Sequence, residues 1–489
     1  MERPLDCLNN LAENDWLIGY DSRQFNQIAQ ELYLELTNLL VWETPPKIIL
    51  AEREPVKFLA SFLAACAANC PVFLCNPDWG TQEWQQVFDL VQPDIILGIV
   101  NRAWGVEHGA NRECGRCGRM GNKSCPPLSP HSPHFPLSSS PYLPISPLIM
   151  IPTGGSSGQI KFAIHTWETL IASVQGFTKY FQLNQVNSFC VLPIYHVSGL
   201  MQFMRSFTSA GKLVIQPFKA LESGQILNIQ PSEFFISLVP TQLQRLLQNP
   251  ELTEWLTQFH TVLLGGAPTW SELLEKARFH RIQLAPTYGM TETASQIATL
   301  KPNDFLNGKI SSGQILPHAQ VTIHNQQGEI LNSNQIGNIT IQAQSLALGY
   351  YPMIKESQDY FQVDDLGFLD EQGYLNIVGR NSDKIITGGE NVYPVEIESA
   401  IRATQMVTDI CVIGIPDKHW GQALTAIYIP EKSNTSALKI QTLLEDKLSK
   451  FKIPKYWIPQ PNLPRNSQGK INRQQLQRIA IEFLQNTLK

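Results

Sequence analysis

The sequence predicts an α/β protein: a large N-terminal part built on α/β sheets and ending in a β-rich stretch, followed by a small C-terminal α/β domain. Three observations lead there. Over the first hundred residues, short apolar runs alternate with helically spaced ones. Beyond about residue 310 the pattern turns rich in β and turn residues, and the last hundred residues pair two apolar strands with an amphipathic stretch. Alternation of the first kind belongs to a parallel sheet covered on both faces. At 489 residues the chain is also too long for one core.

Composition narrows the class. Hydrophobic residues make up 43% and charged residues only 16%, the mark of a well-buried globular chain. A net charge of -5 offers no basic footprint for nucleic acid, and no apolar run is long enough to predict a membrane span. The opening Met-Glu-Arg-Pro-Leu-Asp lacks a signal peptide's apolar segment. Nine cysteines, several in apolar segments (Cys66, Cys70, Cys75, Cys190, Cys411), suit reduced thiols and a cytoplasmic location.

In chain order, Lys47–Leu50, Pro71–Leu74 and Asp94–Val100 read as strands, with a helix over Val56–Cys70. Residues 104–146 break the rhythm with Gly, Arg and Cys, then a Pro/Ser/His tract. One reading is a disordered surface insert, too polar to offset the entropy of ordering. The other is a zinc site from Cys114, Cys117 and Cys125 with His131 or His134, which lacks a clean second cysteine pair.

The stretch Ile149-Met-Ile-Pro-Thr153-Gly-Gly-Ser-Ser-Gly-Gln-Ile-Lys161 then begins as a strand that ends at Pro152. Gly154, Gly155 and Gly158 let main-chain N–H groups approach an anion, Thr153, Ser156 and Ser157 add hydroxyls, and Lys161 adds a cation. That is a phosphate cradle without the Walker triplet; the plainer alternative is a Gly/Ser turn between two strands. Thr166 is placed to cap the next helix, with Glu168 in its first turn. Phe189–Ile194 reads as a strand arriving at Tyr195-His196, and Thr261–Leu264 as one ending in Gly265-Gly266-Ala267. The carboxyl ends of strands are where open α/β sheets bind ligands. A capping box, Thr269-Trp-Ser-Glu272, is expected to start the following helix. Gly379–Lys384 reads as an inter-domain joint, Ile410–Ile415 and Leu424–Ile429 as strands, and Ala437–Phe451 as a helix.

Thr287-Tyr288-Gly289-Met-Thr291-Glu292-Thr293 joins a flat aromatic, hydroxyls and a carboxylate within seven residues. Tyr288 suits stacking on a nucleobase, Thr291 donation to a phosphate, and Glu292 a Mg²⁺ ion shared with phosphate oxygens. A capped turn would explain the same letters.

Taken in order, these segments resemble the adenylate-forming acyl-CoA synthetase superfamily. The resemblance continues through Val363-Asp-Asp365-Leu-Gly-Phe-Leu-Asp-Glu-Gln-Gly-Tyr374, Gly379-Arg380, Gly388-Gly389-Glu-Asn-Val-Tyr-Pro394 and Pro464-Arg-Asn-Ser-Gln-Gly-Lys470. It implies a large domain over 1–380, a mobile domain over 381–489, a hinge at Ser382, and a nucleotide between the two. The implied substrates are ATP, coenzyme A and a small-molecule carboxylic acid, with Mg²⁺ on Glu292; a homo-oligomer stays open. By the same resemblance, 153–161 wrap the β- and γ-phosphates. Gly265, Gly266 and Ala267 border the adenine on which Tyr288 stacks, with Gly289 beside it. Thr291 meets the α-phosphate, Asp365 the ribose and Arg380 ribose or phosphate. Lys470 bridges acid and nucleotide during adenylation, and Gly388-Gly389 open the path for the coenzyme A thiol. Composition alone would make Lys470 a solvated lysine. Relatives more often carry Ser at 154, Pro at 160 and Thr-Gly-Asp where Val363-Asp364-Asp365 stands; no charged group is lost.

The acid is addressed by Leu192–Arg205, which places His196, Ser198 and Arg205 on one segment entering a helix, and by Ser295 and Gln296. An arginine in so apolar a segment needs an anionic or hydrogen-bonding partner. These details resemble the o-succinylbenzoate-activating branch of the superfamily, in menaquinone and phylloquinone synthesis. On that reading Arg205, with Ser198 or Gln296, accommodates a second carboxylate; the alternative pairs Arg205 with an acid at the helix surface. Other aryl or medium-chain acids, carrier-protein loading, and a nucleotide-binding scaffold without turnover are the competing functions. Retention of Lys470, Glu292 and Asp365 together argues against the last.

Overall fold

The computed structural model describes residues 3–9, 15–39, 44–98, 146–154, 159–354, 360–387, 390–417, 420–432, 435–445, 447–465 and 470–487. The expected insert at 104–146, its cysteines and histidines, the cradle residues Gly155 to Gly158, and Gly388-Gly389 lie outside them, apart from Ser146.

Two large sheets organise the N-terminal part. One has eight strands, in which 17–18, 213–215, 187–190, 234–238, 261–264 and 284–290 run parallel before 295–299 reverses and 314–315 turns back antiparallel to it. The other has seven, with 148–154 parallel to 72–74 but antiparallel to 160–166. The helices Pro55–Ala67, Trp167–Phe181 and Val197–Thr208 lie between the sheets, and one core joins their residues to both (Ile48, Leu50, Phe62, Trp167, Phe203, Leu213). Phe62 stacks on Trp167 at 6.4 Å and meets Phe203 edge-on at 6.2 Å. Each such buried ring contributes about 2–3 kcal/mol of transfer free energy. A second core covers the far face of the eight-stranded sheet and a third the far face of the other, so helices alternate with sheets throughout.

Local sequence accounts for the element starts. Glu54 accepts from the amides of Val56 and Lys57, both at 2.9 Å, so its helix begins at Pro55. Thr166 caps Trp167–Phe181 as expected, accepting from Thr169 N. The expected box at Thr269 does not form. The helix starts at Ser271 behind Trp270, whose ring is held by Arg402 4.9 Å away, too late for Thr269 to reach its first turn.

Beyond 310, a four-stranded antiparallel sheet (319–324, 337–343, 361–369, 375–380) leads to the small domain. There the long pair Val407–Asp417 and Gly421–Pro430 alternates: Ile410 and Val412 face one core, Cys411, Ile413 and Ile415 the other. The helix expected to reach Phe451 stops at Leu444. Leu448 still packs on the same core, but from a turn, and Pro454 forces Ile453 to be extended (φ -80°, ψ 123°). Among the described residues no helix is long and apolar enough to cross a membrane.

Candidate active site

The strand expected to end at Pro152 runs on through Thr153 and Gly154, in register with Lys161 and Ile160. Thr153 and Lys161 therefore stand opposite each other in an antiparallel strand pair, with Gly154 opposite Ile160. Thr291–Thr293 forms a 3-10 turn directly after the strand Leu284–Met290. His165, on the second strand of that pair, ties the two together: its Nε2 lies 2.8 Å from the Thr291 carbonyl and its Nδ1 3.0 Å from Thr169 Oγ1. A carbonyl only accepts, so Nε2 carries the proton. Glu292 is fixed from a third strand, where Tyr350 donates its hydroxyl to Oε1 at 2.6 Å while Lys161 stands 5.8 Å from the Tyr350 ring centroid.

Asp365 is the next carboxylate. Strand alternation turns Asp364 outward and Asp365 inward, where it is 7% exposed. Tyr288 donates to its Oδ2 at 2.6 Å and Arg380 to its Oδ1 at 3.0 Å. Burial first, then the Asp365 charge, pushes the Tyr288 hydroxyl well up, so it stays a donor. Asp364, where the resemblance leads one to expect glycine, has a local job. Its two carboxylate oxygens accept the Ser382 amide at 3.2 and 3.3 Å and one also takes the Ser382 hydroxyl, fixing the joint after Arg380.

Lys470 arrives from the small domain. The residue keeps an exposed surface, yet protein atoms crowd its ammonium. That crowding, then the Arg380 charge, lowers its pKa, while Glu292 and Asp365 pull it back up. His196, the N-cap of Val197–Thr208, also feels Lys470: burial first and that charge second bring its pKa to about 4. The site thus gathers Thr291, Glu292, Asp365, Arg380, His196 and Lys470.

The glycines at strand ends fit tight geometry. A β-carbon on Gly289 would fall 2.1 Å from the Ser295 carbonyl oxygen, and one on Gly265 2.4 Å from Thr287 Oγ1. Gly266 is left-handed (φ +80°) and exposed, as is Ala267.

Arg205 is buried, 3% exposed, and pairs with no acid among the described residues, so the surface ion pair is excluded. Burial lowers its pKa to about 9. It stacks 4.2 Å above the Phe177 ring and donates from Nη2 to Ser295 Oγ at 3.0 Å. Ser295 is offered by a strained pair of residues, Ala294 (φ +49°) and Ser295 (φ +93°). Gln296 turns instead along its own strand to Thr299 Oγ1 at 2.8 Å, and Ser198 meets Gln202 through its carbonyl. Three positions escaped sequence reasoning: His165, Tyr350 and His318. Only Tyr350 had a local signal, in the aromatic Gly349-Tyr350-Tyr351 turn.

Burial holds His165, His196 and His318 at about 4, below the ordinary 6.5. A depressed histidine pKa gives stability that is complete above pH 6.5 and lost as pH falls towards 4. The melting temperature is expected to be flat above pH 7 and to fall steeply between pH 6 and 4.5 in a calorimetric series. A flat curve down to pH 4.5 would mean these rings charge without penalty.

Acids and cations facing one another, with one cation brought by a second domain, form the arrangement of an enzyme that handles a phosphate-bearing nucleotide. The chain belongs to the AMP-binding enzyme family: that family's model matches residues 43–351, and the model of the AMP-binding enzyme C-terminal domain matches 396–470. Among curated proteins it is similar to the 2-succinylbenzoate–CoA ligase of Listeria monocytogenes, 35% identical over 66% of this chain and 68% of that one. The enzyme of that name from Oceanobacillus iheyensis is 33% identical over 67% and 68%. Among solved structures, the o-succinylbenzoate CoA synthetase of Bacillus subtilis in complex with its acyl-adenylate intermediate superposes with a TM-score of 0.78. It is 23% identical and covers 97% of this chain and 98% of its own. ATP-bound MatB from Rhodopseudomonas palustris gives 0.77 at 22% identity, covering 98% and 99%.

Proposed function

We propose that the protein is an AMP-forming acid–CoA ligase that converts 2-succinylbenzoate to 2-succinylbenzoyl-CoA. The observation that carries the substrate class is Arg205, a buried guanidinium that no carboxylate pairs among the described residues. A diacid whose succinyl carboxylate reacts keeps a ring carboxylate that must be neutralised, and the named relatives act on that acid.

In the first half-reaction a succinyl carboxylate oxygen attacks the α-phosphorus of ATP and pyrophosphate leaves. Two anions must approach, and Lys470 supplies the cation between them. Asp365, held by Tyr288 and Arg380, accepts two ribose hydroxyls, and the flat ring of Tyr288 suits adenine. Gly265, Gly266 and Ala267 border that base. Thr153, the Gly/Ser stretch after it and Lys161 take the outer phosphates, and Thr291 the inner one. Glu292 has one oxygen on Tyr350 and the other without a hydrogen bond among the described residues, so it fits a Mg²⁺ ion. That ion, when bound, neutralises phosphate charge.

In the second half-reaction the coenzyme A thiol attacks the acyl carbon, AMP leaves and the thiol proton passes to solvent. Rotation of 381–489 about Ser382 would withdraw Lys470 and present Gly388-Gly389. His196, neutral beside Lys470, lines the acyl pocket with Ser198. Cys66, Cys70, Cys75, Cys190 and Cys411 are buried thiols, which suits work in the cytoplasm. The test is pyrophosphate release with a panel of acids, with and without coenzyme A. Release stimulated by 2-succinylbenzoate above other acids is expected; equal stimulation by simple aryl or medium-chain monoacids would displace this reading.

A further inference from the structure

Arg205 does not stand alone. His318 follows the short strand Gln314–Ile315 and lies against the helix Trp167–Phe181 at Gly176, so close that a β-carbon there would sit 1.8 Å from its Nδ1. The next residue of that helix, Phe177, carries the Arg205 guanidinium on its ring. One helical step therefore supports both groups, and the Arg205 charge adds to burial in keeping the imidazole neutral. Neither ring nitrogen of His318 has a hydrogen-bond partner among the described residues, and neither does Arg205 Nε nor Gln202 Oε1, three residues before Arg205 on its helix. Glycine inside a helix weakens it, and position 176 has room for nothing larger while the ring is there.

Buried polar atoms are ordinarily paired. Unpaired N–H capacity on an arginine and on an adjacent imidazole, with no carboxylate pairing either among the described residues, calls for an anionic acceptor with several lone pairs. We propose that His318 is a specificity-determining residue: with Arg205 it holds the carboxylate of the diacid that is not activated, and Gly176 gives it the space to do so. The inference rests on the diacid reading above. Arg205 supplies the charge and His318 a neutral N–H whose direction is set by the helix beneath it. An acid without the second carboxylate leaves both unsatisfied, which is how a site built around hydrogen bonds discriminates strongly.

The experiment compares kcat/KM for 2-succinylbenzoate and for 3-benzoylpropionate, which has the same reacting arm and no ring carboxylate. His318→Leu is expected to lower the diacid value ~30-fold, mostly through KM, and to leave the monoacid value and the KM for ATP within about twofold. His318→Gln, which keeps an N–H donor, is expected to recover a substantial part of the loss. The ratio of the two acids does not depend on how much enzyme is folded, so a poorly folding variant still reports. Equal losses for both acids, or an unchanged ratio in His318→Leu, would overturn the assignment. Wild-type enzyme that uses both acids equally would overturn the diacid reading itself. A ratio that collapses in Arg205→Leu but holds in His318→Leu would remove His318 alone.

Discussion

Lys470→Ala is expected to slow acid-dependent pyrophosphate release by ~10²- to 10³-fold, the usual effect of removing one group aimed at developing charge. Thioester formation from synthetic acyl adenylate is expected to change by less than about fivefold. The two halves separate because Lys470 serves only the step in which carboxylate and phosphate meet. Its surroundings make the split sharp. Arg380 is already engaged with Asp365 through a 3.0 Å ion pair, which keeps that guanidinium from taking the lysine's place at the α-phosphate. Lys470 keeps an exposed surface although protein atoms crowd its ammonium, and its removal is expected to change the melting temperature little. Lys470→Arg, which keeps the charge on a broader head, is expected to fall between. Equal slowing of both half-reactions by Lys470→Ala would place the residue in general binding.

How much of this site was legible depends on where each contact comes from. Thr291, Glu292, Asp365, Arg380 and Lys470 stand in ordered motifs, and the structure brings them to one place. The pairings between them were not legible. Tyr288 and Asp365 meet across 77 residues of sequence, and Tyr350 reaches Glu292 across 58. Such contacts follow from the stacking of separate sheets, which apolar periodicity does not specify. The same limit explains the local misreadings. The strand at Pro152 continues because its partner strand offers a full ladder out to Ile160, and the helix from Ala437 ends at Leu444 although Leu448 still packs on the same core from outside it. Gly176 was visible as a glycine inside an amphipathic helix, but only the packed structure shows the imidazole it accommodates.

Arg205→Leu is expected to separate function from stability, improving one while removing the other. Diacid kcat/KM is expected to fall ~100-fold, because truncating a buried charge leaves the substrate's own charge unmatched. The fold should gain. A guanidinium withdrawn from water with a single hydroxyl partner and a ring face pays a desolvation penalty those contacts do not return in full. Leucine fills the space over Phe177 with no such penalty, against about 1 kcal/mol for the hydrogen bond lost at Ser295. The net is ~1–3 kcal/mol of added stability, read as a melting temperature a few degrees higher in the absence of ligand. Saturating 2-succinylbenzoate and ATP should then raise the melting temperature of the wild type more than that of the variant, since only the wild type converts the buried charge into a bound pair. A variant that melts lower than wild type, with unaltered preference for the diacid, would mean that the guanidinium is there to hold the helix Val197–Thr208 against Ser295 and not to meet a substrate.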